Sequence, residues 1–246
     1  MFKHTIALVV GLSVLTFSAN AALYDRGNGL IYDDTLNITW LQNATYAKTQ
    51  YEETGGSLGS VDGSMTWTEA RFWVANLNYR GYTNWRLPSA NLINGASPCD
   101  ANNSSCDNGY NIKRSELGHM YFNNLANLSI YDVDDDHQPG YGVINRDFTD
   151  GDSGNSVSIS NLGNTKYWFN ELADSNPWGP LELPSAWTFD IHLGSHAVYE
   201  RHKTYHSWAV HPGDIAIIKT QVPVPAAMWL LSTALLGLAG VKRRYR

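Results

Sequence analysis

Cysteine is nearly absent from this chain of 246 residues, which carries only Cys99 and Cys106. Two thiols cannot supply a multi-disulfide scaffold or complete a four-ligand zinc site by themselves, and their spacing is not the Cys-x-x-Cys of a redox pair. Basic residues are also scarce, 17 Lys and Arg against 23 Asp and Glu. No run of them marks a patch for nucleic acid. No repeat of solenoid or propeller length is visible, and no Walker loop, dinucleotide fingerprint or His-Glu-x-x-His motif occurs, so nucleotide binding and zinc proteolysis lose their usual signatures. Between the two ends no apolar run is long enough for a spanning helix.

Both termini carry an apolar run. Met1-Phe2-Lys3-His4 is a short basic start, Ile6 to Phe17 an apolar stretch of twelve residues, and Ala19-Asn20-Ala21 a small-x-small cleavage site. Twelve residues are too few to span a bilayer, so residues 1–21 read as a secretion signal that is removed. At the other end, Val222-Pro223-Val224-Pro225 precedes sixteen uncharged residues, Ala226 to Val241, and then Lys242-Arg243-Arg244-Tyr245-Arg246. As a helix those sixteen residues rise about 24 Å, slightly short of a hydrocarbon core of roughly 30 Å, so 226–241 is expected to be a marginal transmembrane helix. The basic cluster keeps its end cytoplasmic and leaves everything before Val222 across the membrane. Proline pair, apolar helix and basic end in this order resemble the PEP-CTERM sorting signal, with Val-Pro-Val-Pro in place of its Pro-Glu-Pro triplet. That resemblance implies transient anchoring in the inner membrane, processing by an exosortase, and delivery to the cell surface or beyond.

The domain between the signals, 22–221, is long enough for a single core. It holds all 23 acidic residues but 12 of the 17 basic ones, a net charge of −11. Such a surface repels nucleic acid and sulfated polysaccharides and makes neutral glycans or cations the better partners. In an oxidising compartment Cys99 and Cys106 are expected to pair, and closing so short a loop constrains the unfolded chain by about 2.5 kcal/mol in the entropic description.

Thr66-Trp67-Thr68-Glu69 is a capping box, and Ala70, Trp73, Val74 and Leu77 behind it trace one buried helical stripe. A second helix is expected from Ser115, burying Leu117, Met120, Tyr121 and Leu125, with Gly118 weakening it. Strands are expected at Gly29 to Tyr32 and Ile38 to Leu41, and a half-buried one where Trp187, Phe189 and Ile191 alternate with Thr188, Asp190 and His192. Trp208 to Val210 and Ile215 to Ile218 read as a closing hairpin around His211-Pro212-Gly213-Asp214.

These landmarks have a recognisable order. Gly29-Leu30-Ile31-Tyr32-Asp33, Thr39-Trp40-Leu41, Trp67-Thr68-Glu69-Ala70, Tyr82-Thr83-Asn84-Trp85-Arg86-Leu87-Pro88, Glu116-Leu117, Tyr167-Trp168, Ala186-Trp187-Thr188-Phe189 and Trp208-Ala209-Val210-His211-Pro212-Gly213 resemble the Lcl C-terminal domain family across nearly all of Gly29 to Ile218. The resemblance implies an α+β fold of C-type-lectin-like form, with two helices flanking a small antiparallel sheet and a long inserted loop region.

Most tryptophans read as core: Trp40, Trp73, Trp85, Trp187 and Trp208 sit on buried stripes or inside the landmarks. Trp178, between Pro177 and Gly179, and Tyr131 and Tyr141, flanking an acidic loop, are the candidates for stacking on sugar rings. In that loop Asp132, Asp134 and Asp136 place oxygen ligands at every second residue, as the start of a calcium loop does, but His137 stands where an EF-hand needs Gly and Val143 where it needs Glu. The two readings are a calcium site and a solvated acidic loop. His192, His196, His202, His206 and His211 include two His-x-x-x-His spacings, read either as a metal site or as loop histidines facing solvent. The functional expectation is an exported, non-enzymatic surface or matrix protein that binds polysaccharide or another envelope component. The alternatives are an enzyme on a related formylglycine-generating-like fold and a purely structural matrix protein. A reporter fused behind Arg246 is expected to face the cytoplasm in a protease-protection assay; a periplasmic reporter would reverse the topology.

Overall fold

The computed structural model describes residues 22–91, 108–173 and 183–215. The expected sorting signal with its expected transmembrane helix, the expected secretion signal, both cysteines and Trp178 lie outside these residues. Among the described residues the fold is mixed α+β, mostly sheet, with three short α-helices. Among the described residues, no helix is long and apolar enough to cross a membrane.

A four-stranded antiparallel sheet takes β1 (Leu23–Gly27), β2 (Leu30–Asp33), β3 (Ile38–Leu41) and the last strand, Val210–Pro212, in that order. Its last strand pairs with β3, Val210 opposite Trp40 and Pro212 opposite Ile38. Of the expected closing hairpin, the first arm is a strand that returns to β3, where Thr39 and Asn37 supply partners for Gly213 and Ile215, and most of the second arm, 216–218, lies outside the described residues. α1 (Tyr46–Glu53) follows β3 and was not legible from its weak pattern.

The second sheet has six strands, and all of its neighbours are antiparallel but one. β4 (Ser64–Met65) is one edge and β5 (Gly109–Tyr110) the other. Between them, after the two-stranded hairpin of β6 (Asp147–Thr149) and β7 (Ser156–Ser158), lie β8 (Lys166–Ala173), β9 (Ser185–Asp190), β10 (Ser195–Glu200) and β11 (Tyr205–His206). Only β11 and β8 run parallel. β9 is buried at every position, so the alternation at Trp187 to Asp190 marks a central strand, and the expected half-exposed one is corrected. Thr188 and Asp190 are tolerated inside because Thr188 donates to the Ala197 carbonyl and Lys166 meets Asp190 at 2.8 Å.

α2 (Trp67–Ala75) has the expected capping box in full, Thr66 accepting from Glu69 N and Glu69 accepting from Thr66 N. Ala70, Trp73, Val74 and Leu77 are all buried. α3 (Glu116–Gly118), capped by Ser115, continues as a π-helix over His119–Asn124 and buries Leu117, Met120, Tyr121 and Leu125. Buried indoles join these parts through main-chain carbonyls: Trp208 to Leu41 at 2.6 Å, Trp168 to Met65 at 2.8 Å, and Trp67 to Phe169 at 2.9 Å. Each buries a large apolar area without stranding its N–H donor.

The run Trp85-Arg86-Leu87-Pro88 is the crosspiece between the sheets. Arg86 exchanges backbone hydrogen bonds with Val210 on one side, and the Pro88 carbonyl accepts from Asn170 on β8 on the other. The Arg86 guanidinium grips both Glu116 oxygens at 2.7 Å, and Glu116 also accepts from Ser89 N at 2.7 Å. Glu171 on β8 takes Ser89 Oγ and Ala90 N. Replacing Arg86 by Met leaves the buried Glu116 with one charged partner fewer and is expected to cost about 2–3 kcal/mol in urea unfolding. Arg86→Lys, which keeps the charge but not the fork, is expected to fall between.

Candidate functional site

β5 pairs with the start of β10, Tyr110 opposite Ser195 and Gly109 opposite His196. The chain then crosses the start of α3 so closely that a Cβ on Gly118 would lie 2.0 Å from the Ile112 carbonyl oxygen. Gly118 is thus required by close approach, which matters more here than its low helix propensity. Residues 129–138 form a facing hairpin, bridged between Tyr131 and His137. Ser129 Oγ donates to the Leu193 and Gly194 carbonyls, and Ile130 N to Leu193, which docks this hairpin on the turn between β9 and β10. Gly194 allows that docking: at φ +60 a Cβ would stand 2.8 Å from Ser129 Cα. Asn111 Nδ2 donates to the Tyr131 carbonyl at 2.7 Å and ties the two sides together.

Between these sides is a groove of about 560 Å³, lined by residues 108–114 and by Asp132, Val133 and Asp135. Tyr110 is 39% exposed and meets Tyr131 edge-to-face, ring centroids 5.0 Å apart. The aromatic row continues from Tyr131 to His137 at 6.2 Å, His137 to Tyr141 at 4.9 Å and Tyr141 to His192 at 5.6 Å. Lys113 and Arg114 stand on one side of the groove, Asp132 and Asp135 on the other, so the charges nearly balance in a domain that is otherwise acidic. Partial burial, with Tyr131, Asp190 and Tyr199 nearby, raises the Tyr110 phenol above its ordinary pKa and keeps it neutral at physiological pH. Such a surface offers ring faces, neutral hydroxyls and both signs of charge, the chemistry that orients a polyhydroxylated ligand.

Of the residues expected from sequence, Tyr131 and Asp132 border the groove, and Tyr141 joins it through the His137 ring. The three aspartates do not converge. Asp132 Oδ1 accepts from the backbone amides of Asp134 and Asp136, both at 2.9 Å, so its carboxylate holds its own turn. Asp134 and Asp136 are exposed, and among the described residues no group of three His, Cys, Asp or Glu side chains is arranged to hold a metal ion. As placed, the three carboxylates do not form a ligand set, an arrangement that favours the solvated acidic loop of the two readings. The five histidines are dispersed as well. His192 is exposed, and His202 pairs with Glu200 at 3.6 Å. His211 lies in the last strand against Trp85. His196 corrects the loop expectation: it is 2% exposed on β10, between Phe169 and Phe189, and burial drives its pKa down to about 3.

His196 Nε2 stands 2.8 Å from Ser115 Oγ, the spacing of a nucleophile and its base. Both residues are buried, and the hydroxyl already accepts from Gly118 N as the helix cap. Their polar atoms satisfy each other inside the fold. Gly55-Gly56-Ser57-Leu58-Gly59 matches the spelling of a nucleophile elbow, but it follows α1 in a series of turns, without the strand-to-helix context that strains such a serine. No histidine lines the groove beside it, a more apolar one of about 640 Å³ between that loop and α2.

Tyr110, Lys113 and Arg114 were missed by sequence reasoning, although an aromatic followed three residues later by a basic pair after a long polar stretch was the available signal. Asp132→Ala removes the acceptor for two amides and is expected to cost about 1 kcal/mol in thermal unfolding. Asp134→Ala and Asp136→Ala are expected to stay within about 0.5 kcal/mol. Comparison of the chain with family models, curated proteins and solved structures finds no match, and the function is argued from this geometry.

Proposed function

We propose that this is an exported, non-catalytic surface or matrix protein that binds a neutral polysaccharide in the groove lined by Tyr110, whose ring meets Tyr131 edge-to-face. The carrying observation is that edge-to-face tyrosine pair, on the surface of an acidic domain yet beside a balanced set of charges. A pyranose ring placed on Tyr110 finds Asn111, Lys113 and Arg114 as donors and the Asp132 and Asp135 carboxylates as acceptors for its hydroxyls. The walls are held by Asn111, Ser129 and Asp132 before any ligand arrives, which limits the ordering cost of binding.

The finer fold reading, a C-type-lectin-like domain, is part of this proposal. Its support is the sequence resemblance together with largely antiparallel sheets and short helices. The secretion signal and the three-part C-terminal tail support export, transient membrane anchoring through residues 226–241, and exosortase processing near Val222 to Pro225.

Affinity electrophoresis through gels cast with neutral polysaccharides, preceded by a glycan array, tests the binding. Tyr110→Ala is expected to weaken retention about tenfold, and Tyr131→Ala at least as much. Tyr110→Phe is expected to keep most of it. Retention that survives both alanine variants moves the site elsewhere, and a native domain that binds no glycan leaves the structural matrix reading.

A further inference from the structure

The first described residue is tied into the fold at once. Ala22 N lies 3.1 Å from Asp34 Oδ1, and Asp34 N donates back to the Ala22 carbonyl at 3.3 Å. The Tyr24 hydroxyl approaches the other carboxylate oxygen of Asp34 at 3.4 Å. Leu23, only 2% exposed, pairs with Asp33 on β2, and its carbonyl accepts from Gly151 N at 2.9 Å. Asp25 N donates to Asp150 Oδ1 at 2.8 Å. Within four residues, β1 is therefore bonded to two other segments.

The residue before Ala22 is the last of Ala19-Asn20-Ala21, the small-x-small pattern that a membrane signal peptidase cuts. We propose that cleavage of the Ala21–Ala22 bond creates the group that Asp34 is placed to hold, so that removal of the leader completes an electrostatic latch on β1. Water adds across the peptide bond, leaving a carboxylate on Ala21 and an α-ammonium on Ala22. An amide N–H there gives the Asp34 carboxylate a hydrogen bond that is charged on the acceptor side alone, whereas the ammonium adds a full ion pair to it. The proposal rests on the reading of the chain as exported, but its thermodynamic half can be measured without export.

The surroundings favour a cation at this position. Asp34 accepts from it, the Tyr24 hydroxyl bonds the other oxygen of that carboxylate, Asp33 lies opposite Leu23 on β2, and Asp150 and Asp152 stand on the segment packed against β1. The nearby cation, Arg26, is committed to Asp152 and Asp214, both at 2.7 Å. A peptide α-amine titrates near 7.7–8.0, and a carboxylate partner in the folded state raises that value. The contribution is then full below about pH 7.7 and is lost as pH rises through the higher folded value.

The test compares chains from Ala22 to Arg246 in detergent: one with a free amino terminus and one Nα-acetylated, each with Asp34 and with Asp34→Asn. At pH 6 the free form is expected to melt about 2–4 °C above the acetylated one, with the gap closing between about pH 8 and 10 and absent in the Asp34→Asn pair. Equal midpoints at pH 6 in the Asp34 background overturn the latch. Intact-mass analysis of the exported protein is expected to place its first residue at Ala22. A different first residue overturns the cleavage position, whereas a chain that keeps Met1 and stays inside the cell overturns the export reading and leaves the melting result standing.

Discussion

The fold turns on the grip of Arg86 on Glu116. Arg86 is bonded through its backbone to the last strand of the four-stranded sheet and through its side chain to the start of α3, and two residues on, Pro88 is bonded to β8 of the other sheet. Two anionic side chains, Glu116 and Glu171, then capture the amides of Ser89 and Ala90. Without a fixed cation, Glu116 would be a largely buried charge held by neutral donors alone, which folded proteins rarely tolerate. One bidentate pair thus sets the spacing of both sheets and of the helix between them.

The tyrosine groove is a consequence of that frame. Glu116 positions α3, and Gly118 lets residues 109–114 lie across it. The β9–β10 turn positions the opposite hairpin through Ser129. Several aromatic residues divide between core and surface. Trp67, Trp168 and Trp208 find main-chain carbonyls and are spent on the core, while Tyr110 keeps an exposed ring and a neutral hydroxyl at the surface. The same division separates His196, sealed between two phenylalanines, from His137 and His192 in the surface row.

Local order was legible wherever a residue's partners lie within a few positions. The Thr66–Glu69 capping box and the stripe from Ala70 to Leu77 rest on contacts inside one helix or along one face, and they stand as expected. The Trp-Arg-Leu-Pro run was conspicuous in the sequence, but its reason was not, since Glu116 and Asn170 are far away in the chain. β9 misled because alternation of polar and apolar residues also fits a central strand whose polar members have partners on both neighbours. The alternate aspartates carry two readings by spacing alone, and what bears on the choice is that the Asp132 carboxylate is bonded to the amides of Asp134 and Asp136 in its own turn.

The sequence by itself determined the starts of α2 and α3, the aromatic core and the acidic balance, because each follows from local pattern or composition; the α+β character was an implication of the family resemblance. The sequence also marked Tyr131 as a surface aromatic. Only the tertiary structure decided that Tyr110 stands beside it, that Arg86 meets Glu116, that Ser115 and His196 are sealed together, and that Asp34 waits at Ala22. Those are pairings between distant parts of the chain, and their energies depend on distance and burial, which linear order does not encode.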